Sequence, residues 1–185
     1  MILGLLLAAG AGRRMGGPKA LVRDEAGVPW VVRAVEVLRS GGCPSVAVVV
    51  GAAADEVMPL LDGLDVAIVS SPEWETGMAA SLRSGLAFAE TTSASAVLVH
   101  LVDLLDTGDA VIRRVLAAVD DAPSALARAG YDGKAGHPVL IGRSHWAAAA
   151  EAAYGDRGAG PYLTAAGCPL IECGDLASGN DRDHR

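Results

Sequence analysis

The chain is short of aromatic rings. One phenylalanine, three tyrosines and three tryptophans make up 4% of its 185 residues, although 51% of them are hydrophobic. The core must therefore be built from Ala, Val and Leu, which suits the helix-on-sheet layers of an α/β protein. Long hydrophobic runs are also missing. ILGLLLAA, SVAVVV and ASAVLVHLV all fall short of the roughly 20 apolar residues needed to cross a bilayer. The first run has no basic leader and passes into charged sequence, so it does not read as a secretory signal. The expectation is a soluble, cytoplasmic protein with no membrane partner. Positive charge is scarce: 15 Lys and Arg face 22 Asp and Glu, a net charge of −7. That balance argues against nucleic acid as a partner, and any anionic ligand has to be met by local cations. The three cysteines, Cys43, Cys168 and Cys173, are odd in number and lack C-x-x-C spacing. They read as reduced thiols, not as a metal or redox site.

What is present is an alternation of strands and helices. The runs at 2–7, 45–50, 65–70 and 94–102 read as buried strands. Between them, helical patterns begin at Pro29, around Asp55–Leu61 and at 77–90, and another follows at 107–122. Alternation of this kind predicts a three-layer α/β/α, Rossmann-like, doubly wound and mostly parallel sheet. The rhythm then changes. SALARA and HPVLIG flank the turn-like YDGKAG and predict a small antiparallel insertion. A helix over HWAAAAEAAY, a tight loop at GDRGAG and a last strand at PLIEC complete the chain. With no linker and no repeat, residues 1–185 read as a single domain. In such sheets ligands sit beyond the carboxyl ends of the strands. The loop after the first strand, the stretch Ser71–Gly77 and Asp103 all fall at that edge.

The loop LAAGAGRRMGGPK at 7–19 carries the most chemistry. Glycines let backbone amides approach an anion, and this strand–turn–helix arrangement suits phosphate. Two standard fingerprints fail here. The dinucleotide pattern G-x-G-x-x-G meets Met15 at its third glycine. In the ATPase pattern Pro18 intervenes before Lys19, and Ala20 replaces the magnesium-binding hydroxyl. What remains is Arg13, Arg14 and Lys19 within seven residues, two forked guanidiniums and one mobile ammonium. Glycines for the backbone and cations for the oxygens make a clamp for a triphosphate.

LAAGAGRRMGGPKAL resembles the signature L-A-A-G-x-[SG]-x-R-M-G-x-x-K of the MobA-like nucleotidyltransferases, in particular their molybdenum-cofactor cytidylyltransferase branch. Gly27-Val28-Pro29 resembles the following G-x-P. SPEWETGMAASLRSGL resembles a nucleotide-pocket segment, x-W-x-x-G-M-x-x-S-L-x-x-G-L. LVHLVDLLD resembles the strand ending in a metal-binding aspartate. GHPVLIGR resembles G-x-P-V-L-F, and GDRGAG resembles G-D-x-G-A-R. The likeness covers almost the whole chain, with two departures. The family's D-x-P is Asp103-Leu104-Leu105 here, and its C-terminal D-x-D-T-P-x-D is reduced to Asp181-Arg182-Asp183-His184-Arg185.

The resemblance implies attack by a substrate phosphate on the α-phosphorus of a nucleoside triphosphate, with loss of pyrophosphate and with Mg²⁺ as cofactor. Lys19, Arg14 and Asp103 would be catalytic. Leu7, Ala8, Ala9, Gly10, Ala11, Gly12, Arg13, Lys19, Ser71, Gly77 and Ser81 would bind the nucleotide. Asp103 and Asp181, or Asp183 in its place, would hold the metal. The competing role for Asp103 is an acid before the next helix, a capping position that Asp106 suits better. Gly136, His137 and Pro138 would line the acceptor pocket, with a purely structural His137 equally open. His100 reads as a residue inside its strand and His145 as one on a helix surface. Trp74 and Met78 read as pocket wall or core.

The LAAG form implies CTP as donor, since the guanylyl branch shows LAGG and has room for a purine. The acceptor implied is molybdopterin, with a sugar phosphate or alditol phosphate as alternatives, and a molybdoenzyme or its chaperone would be a partner. Two other classes stay open. One is a nucleotide-binding regulatory module without turnover. The other is a nicotinamide- or flavin-linked oxidoreductase, which would need an acid for the ribose after the second strand, where Val50 leads into GAAAD.

Overall fold

The computed structural model describes residues 1–181. One seven-stranded sheet runs through it. Strand β1 spans Ile2–Leu7, β2 Ser45–Val50, β3 Val66–Ser70 and β4 Ala96–Leu101. A hairpin follows, β5 over Leu126–Tyr131 and β6 over Lys134–Gly142, and β7 is the short Leu170–Glu172. The order across the sheet is β3-β2-β1-β4-β6-β5-β7. Strands β1 to β4 are parallel, with β1 central between β2 and β4. β6 runs antiparallel to both β4 and β5, and β7 returns parallel to β5. The hairpin is thus no appendage to the sheet, because β6 is stitched directly to β4 from Ala96↔Gly142 to Val99↔Val139.

Among the described residues six α-helices cover the two faces: α1 Trp30–Ser40, α2 Ala54–Val57, α3 Met78–Glu90, α4 Asp109–Ala117, α5 Trp146–Ala152 and α6 Gly160–Ala165. The period-two alternation of a strand decides which side chain meets which layer. From β1, Leu6 joins Trp30, Val31, Val35 and Leu38 of α1 and Val111, Ile112 and Val115 of α4 in one core. Leu3, Leu5 and Leu7 point the other way and pack with Leu82 and Leu86 of α3, Trp146 of α5 and Leu163 of α6. Both faces of β1 are buried, which explains its uninterrupted apolar sequence. No described helix is long and apolar enough to cross a membrane.

Several local expectations are corrected. The helix expected over 107–122 closes at Ala117. The next residues bend into a 3-10 turn at Ala122–Ser124, where Pro123 cannot continue an α-helix. Gly108 stands at its N-cap, so Asp106 caps nothing. Instead Asp106 Oδ2 accepts hydrogen bonds from Ser178 N and Oγ at 2.7 and 2.6 Å, tying down the C-terminal segment. The last expected strand before Asp103 ends at Leu101. GDRGAG is a 3-10 turn over Gly155–Arg157 that leads into the unanticipated α6, whose Pro161 suits a first helical turn. His145 is no free surface residue: its Nδ1 lies 2.6 Å from Tyr162 Oη and its Nε2 2.9 Å from the Ser124 carbonyl.

Candidate active site

Beyond Leu7 the β1 ladder persists for two residues. Ala8 N donates to Val49 O at 3.0 Å, and Ala9 O accepts from Ala52 N at 2.9 Å. The chain then leaves the sheet at Gly10 and turns back on itself. Gly12 adopts a left-handed φ of 57°, and its carbonyl accepts from Met15 N at 2.9 Å and Gly17 N at 3.2 Å. A side chain at Gly12 would place Cβ 1.9 Å from Gly17 O, so position and conformation both demand glycine. Met15 is buried in the core beneath the loop and pins it, while Arg13 and Arg14 stay exposed. The amides of Gly10, Ala11 and Gly12 find no protein acceptor among the described residues.

This loop forms one side of a cleft of about 510 Å³ at the carboxyl ends of β1 and β4. Leu7, Ala9, Gly10, Ala11, Gly12, Arg13, Arg14 and Lys19 line it. From the other side come Trp74, Glu75, Gly77, Met78 and Ser81, with Leu101, Val102 and Asp103 after β4 and with Asp156 and Asp181. Lys19 Nζ donates to Asp103 Oδ2 at 2.6 Å across the cleft, and the two side chains are only 16% and 14% exposed. Ala9, Trp74 and Gly51 are mutually tight. A Cβ built on Gly51 would fall 2.6 Å from Trp74 Cβ and 2.9 Å from Ala9 Cβ. Gly77 opens α3 at φ 115°, pressed against the Gly155 backbone, and the following Met78 N donates to Asp156 Oδ1 at 3.4 Å.

Asp103 and Asp181 both line the cleft, as do Glu75 and Asp156. Among the described residues no three His, Cys, Asp or Glu side chains group closely enough to hold a metal unaided. Two carboxylates in a polar cleft fit a hard divalent cation that completes its shell with water and substrate phosphate oxygens. Asp183 lies outside the described residues.

Two expected nucleotide residues stand apart from the cleft lining. Ala8 is 2% and Ser71 1% exposed. Ser71 N extends the ladder to Val50 O at 2.9 Å, which holds its side chain inside the end of the sheet. Its hydroxyl makes no hydrogen bond among the described residues. Gly136 and Pro138 do not line the cleft. Gly136 lies under the Tyr131 ring, and its carbonyl accepts from Arg128 Nε at 3.4 Å. His137 lines a second, smaller pocket of about 60 Å³, which shares Leu7 and Met78 with the cleft. Burial pushes the His137 imidazole down to about 3, helped by the nearby His100 and Arg128, and burial alone pushes His100 down to about 4. Both rings are neutral at neutral pH.

Sequence reasoning missed Asp156 and Glu75 as cleft residues. Asp156 stands in GDRGAG, a motif legible in the sequence, whereas nothing in the spacing singles out Glu75.

Comparison with known proteins bears on this geometry. A family model described as the MobA-like NTP transferase domain matches residues 4–168. The nicotine blue oxidoreductase of Paenarthrobacter nicotinovorans is 35% identical over 192 residues, covering 98% of this chain and 92% of that protein. A nucleotidyl transferase from Methanothermobacter thermautotroptrophicus superposes with a TM-score of 0.83 at 23% identity, covering 100% of this chain and 92% of that one, which shows a shared fold. Rv0371c of Mycobacterium tuberculosis, solved in complex with manganese, superposes with a TM-score of 0.69 at 26% identity over 93% of this chain and 86% of its own. The matched region contains the glycine loop, Lys19 and Asp103, the residues that build the cleft, and the chain belongs to the MobA-like NTP transferase family.

Proposed function

We propose that the cleft binds a nucleoside triphosphate, with CTP preferred, together with Mg²⁺, and that the protein transfers the nucleotidyl group to a phosphorylated acceptor with release of pyrophosphate. One observation carries this reading: the glycine loop, whose amides find no acceptor among the described residues, the Lys19 ammonium and the Asp103 carboxylate meet in a single cleft, with Lys19 and Asp103 2.6 Å apart. The amides of Gly10 to Gly12 and the cations Arg13, Arg14 and Lys19 supply what a triphosphate needs, donors and positive charge. Asp103 and Asp181 would hold the metal. When bound, Mg²⁺ neutralises phosphate charge and orients the leaving group.

The protein's own share is alignment and charge compensation, which dominate phosphoryl and nucleotidyl transfer. Lys19 would exchange its contact with Asp103 for the leaving pyrophosphate. Arg14 would share that charge. Trp74, Met78 and Ser81 would wall the nucleoside side. His137, neutral and half-buried beside the cleft, would lie on the acceptor side. Molybdopterin is the acceptor class that the family resemblance favours, with a molybdoenzyme or its chaperone as downstream partner, in the cytoplasm. Pyrophosphate release from CTP and Mg²⁺, measured over a panel of phosphorylated acceptors including molybdopterin, tests the reading. Release with one of them supports it, and none with any donor and acceptor pair contradicts it.

A second reading is favoured by one observation, the 35% identity to a protein named as an oxidoreductase. The same cleft would then hold a redox nucleotide in place of a triphosphate. NADH or NADPH binding at the cleft, with no response to CTP, would favour that alternative.

A further inference from the structure

We propose that the small pocket beside the cleft is an anion site, in which Arg128 and Arg157 grip a compact oxyanion, a phosphate or carboxylate group, carried by the acceptor. The proposal rests on the reading of the adjoining cleft as the donor site. The pocket encloses about 60 Å³, room for one small group. Its walls are mostly apolar: Leu82, Val99, Val139, Ile141 and Leu163 contribute. Three polar side chains line it, and none of them is acidic: Arg128, Arg157 and His137.

Neither arginine forms an ion pair with a carboxylate among the described residues. Arg128 is half-buried, and its hydrogen bonds are two long ones, from Nε and one terminal nitrogen to the single Gly136 carbonyl, each 3.4 Å. Burial depresses its pKa, the mark of a cation short of compensation. Arg157 donates to Tyr154 Oη, and its guanidinium carbon sits 5.7 Å from that ring's centroid. In a chain with 22 acids to 15 basic residues, two guanidiniums on one apolar pocket without a carboxylate are out of keeping with the rest of the surface. Arg128 is half-buried without a carboxylate partner among the described residues, and an oxyanion held by both forks would supply the missing charge. His137 adds a polar edge without adding charge, since its imidazole is neutral.

Position connects the pocket to the chemistry. Leu7 and Met78 belong to both spaces, so a molecule anchored at the arginines extends directly into the cleft. The loop sequence agrees. The motif G-D-x-G-A-R ends in arginine, whereas here Gly160 takes that place and an arginine stands at position 157, and both residues line the pocket.

The test is isothermal titration with inorganic phosphate at fixed ionic strength. Wild type, Lys19→Ala, Arg128→Gln and the exposed-site variant Arg157→Gln are compared, with folding checked by circular dichroism. Arg157→Gln keeps the test alive if Arg128→Gln does not fold. The expected result is phosphate affinity in Lys19→Ala close to that of wild type, and a loss of at least about tenfold in each folded arginine variant, since hydrogen bonds to charged groups are worth that much. Saturating CTP and Mg²⁺ should leave phosphate binding in place. Loss in Lys19→Ala with retention in the arginine variants would put the phosphate in the cleft. Competition by CTP would assign the pocket to the donor's phosphate tail. Either result overturns the proposal, as does the absence of binding. If phosphate binds at the arginines but CTP does not bind at all, the anion site stands and the donor reading of the cleft fails.

Discussion

Lys19 Nζ and Asp103 Oδ2 lie 2.6 Å apart, joining the glycine loop after β1 to the residue that follows β4, 84 positions away in sequence. Both side chains are largely withdrawn from solvent. A pair of this kind is held at the cost of desolvation, and removing one member leaves the other charge stranded. In the proposed reaction each partner has another role: Asp103 turns to a metal ion and Lys19 to phosphate. In that reading the contact would keep the two groups aligned until substrate divides them.

Asp103→Asn is nearly isosteric but removes the charge that would anchor the metal. Turnover with saturating Mg²⁺ should fall by at least ~10²-fold, about 3 kcal/mol in the barrier. Far-ultraviolet circular dichroism should be unchanged. Full activity in this variant would remove Asp103 from the metal site.

Lys19→Ala should weaken CTP far more than CMP. The ammonium sits past the glycine turn, where a flexible cation can follow the β and γ phosphates. Titration of both nucleotides decides this. Equal losses for CTP and CMP would make Lys19 a structural partner of Asp103 and nothing more.

The sequence makes the framework legible because its signals are strong and local. The buried strands β1, β2 and β4 are continuous aliphatic runs, and Gly12 and Lys19 belong to one short motif. What stayed hidden depends on long-range contact. Asp106 reads as a helix cap from its neighbours, yet its partner is Ser178, 72 residues on. Asp156 enters the cleft because Gly77 lets the start of α3 press against Gly155, a close approach that no spacing announces. That Arg128 and Arg157 line one pocket likewise needs the hairpin and the α6 loop brought together.

Ala9 bears on donor choice. It lines the cleft but is only 3% exposed, packed beside Gly51 and Trp74. In the proposed reading its methyl would act through the wall it supports. Ala9→Gly should narrow a CTP-over-GTP preference without abolishing CTP use, and shape alone rarely exceeds about 10–200-fold discrimination. The readout is kcat/KM for both donors with one defined acceptor. A wild type that prefers GTP would refute the cytidylyl reading.

His100 predicts the acid limb of stability. It is buried at 1% exposure, its Nδ1 has no hydrogen-bond partner among the described residues, and burial lowers its pKa to about 4. The unfolded chain takes up a proton near pH 6.5 that the folded chain refuses until about pH 4. Its contribution is present above the unfolded value and drains away as pH falls, by about 3 kcal/mol at pH 4. Urea midpoints between pH 7 and 4 should decline less steeply for His100→Leu than for wild type. Parallel curves would show that His100 is not what makes the fold acid-sensitive.

The most direct test of the central claim is the thermal stability of the wild type with each nucleoside triphosphate, with and without Mg²⁺, alongside NADH and NADPH. A ligand at about 100 times its Kd adds about 2.7 kcal/mol. The account predicts a stabilisation by CTP that grows with Mg²⁺, is smaller with GTP, and loses its Mg²⁺ dependence in Asp103→Asn. No response to any triphosphate, with a clear shift on adding NADH or NADPH, would contradict it.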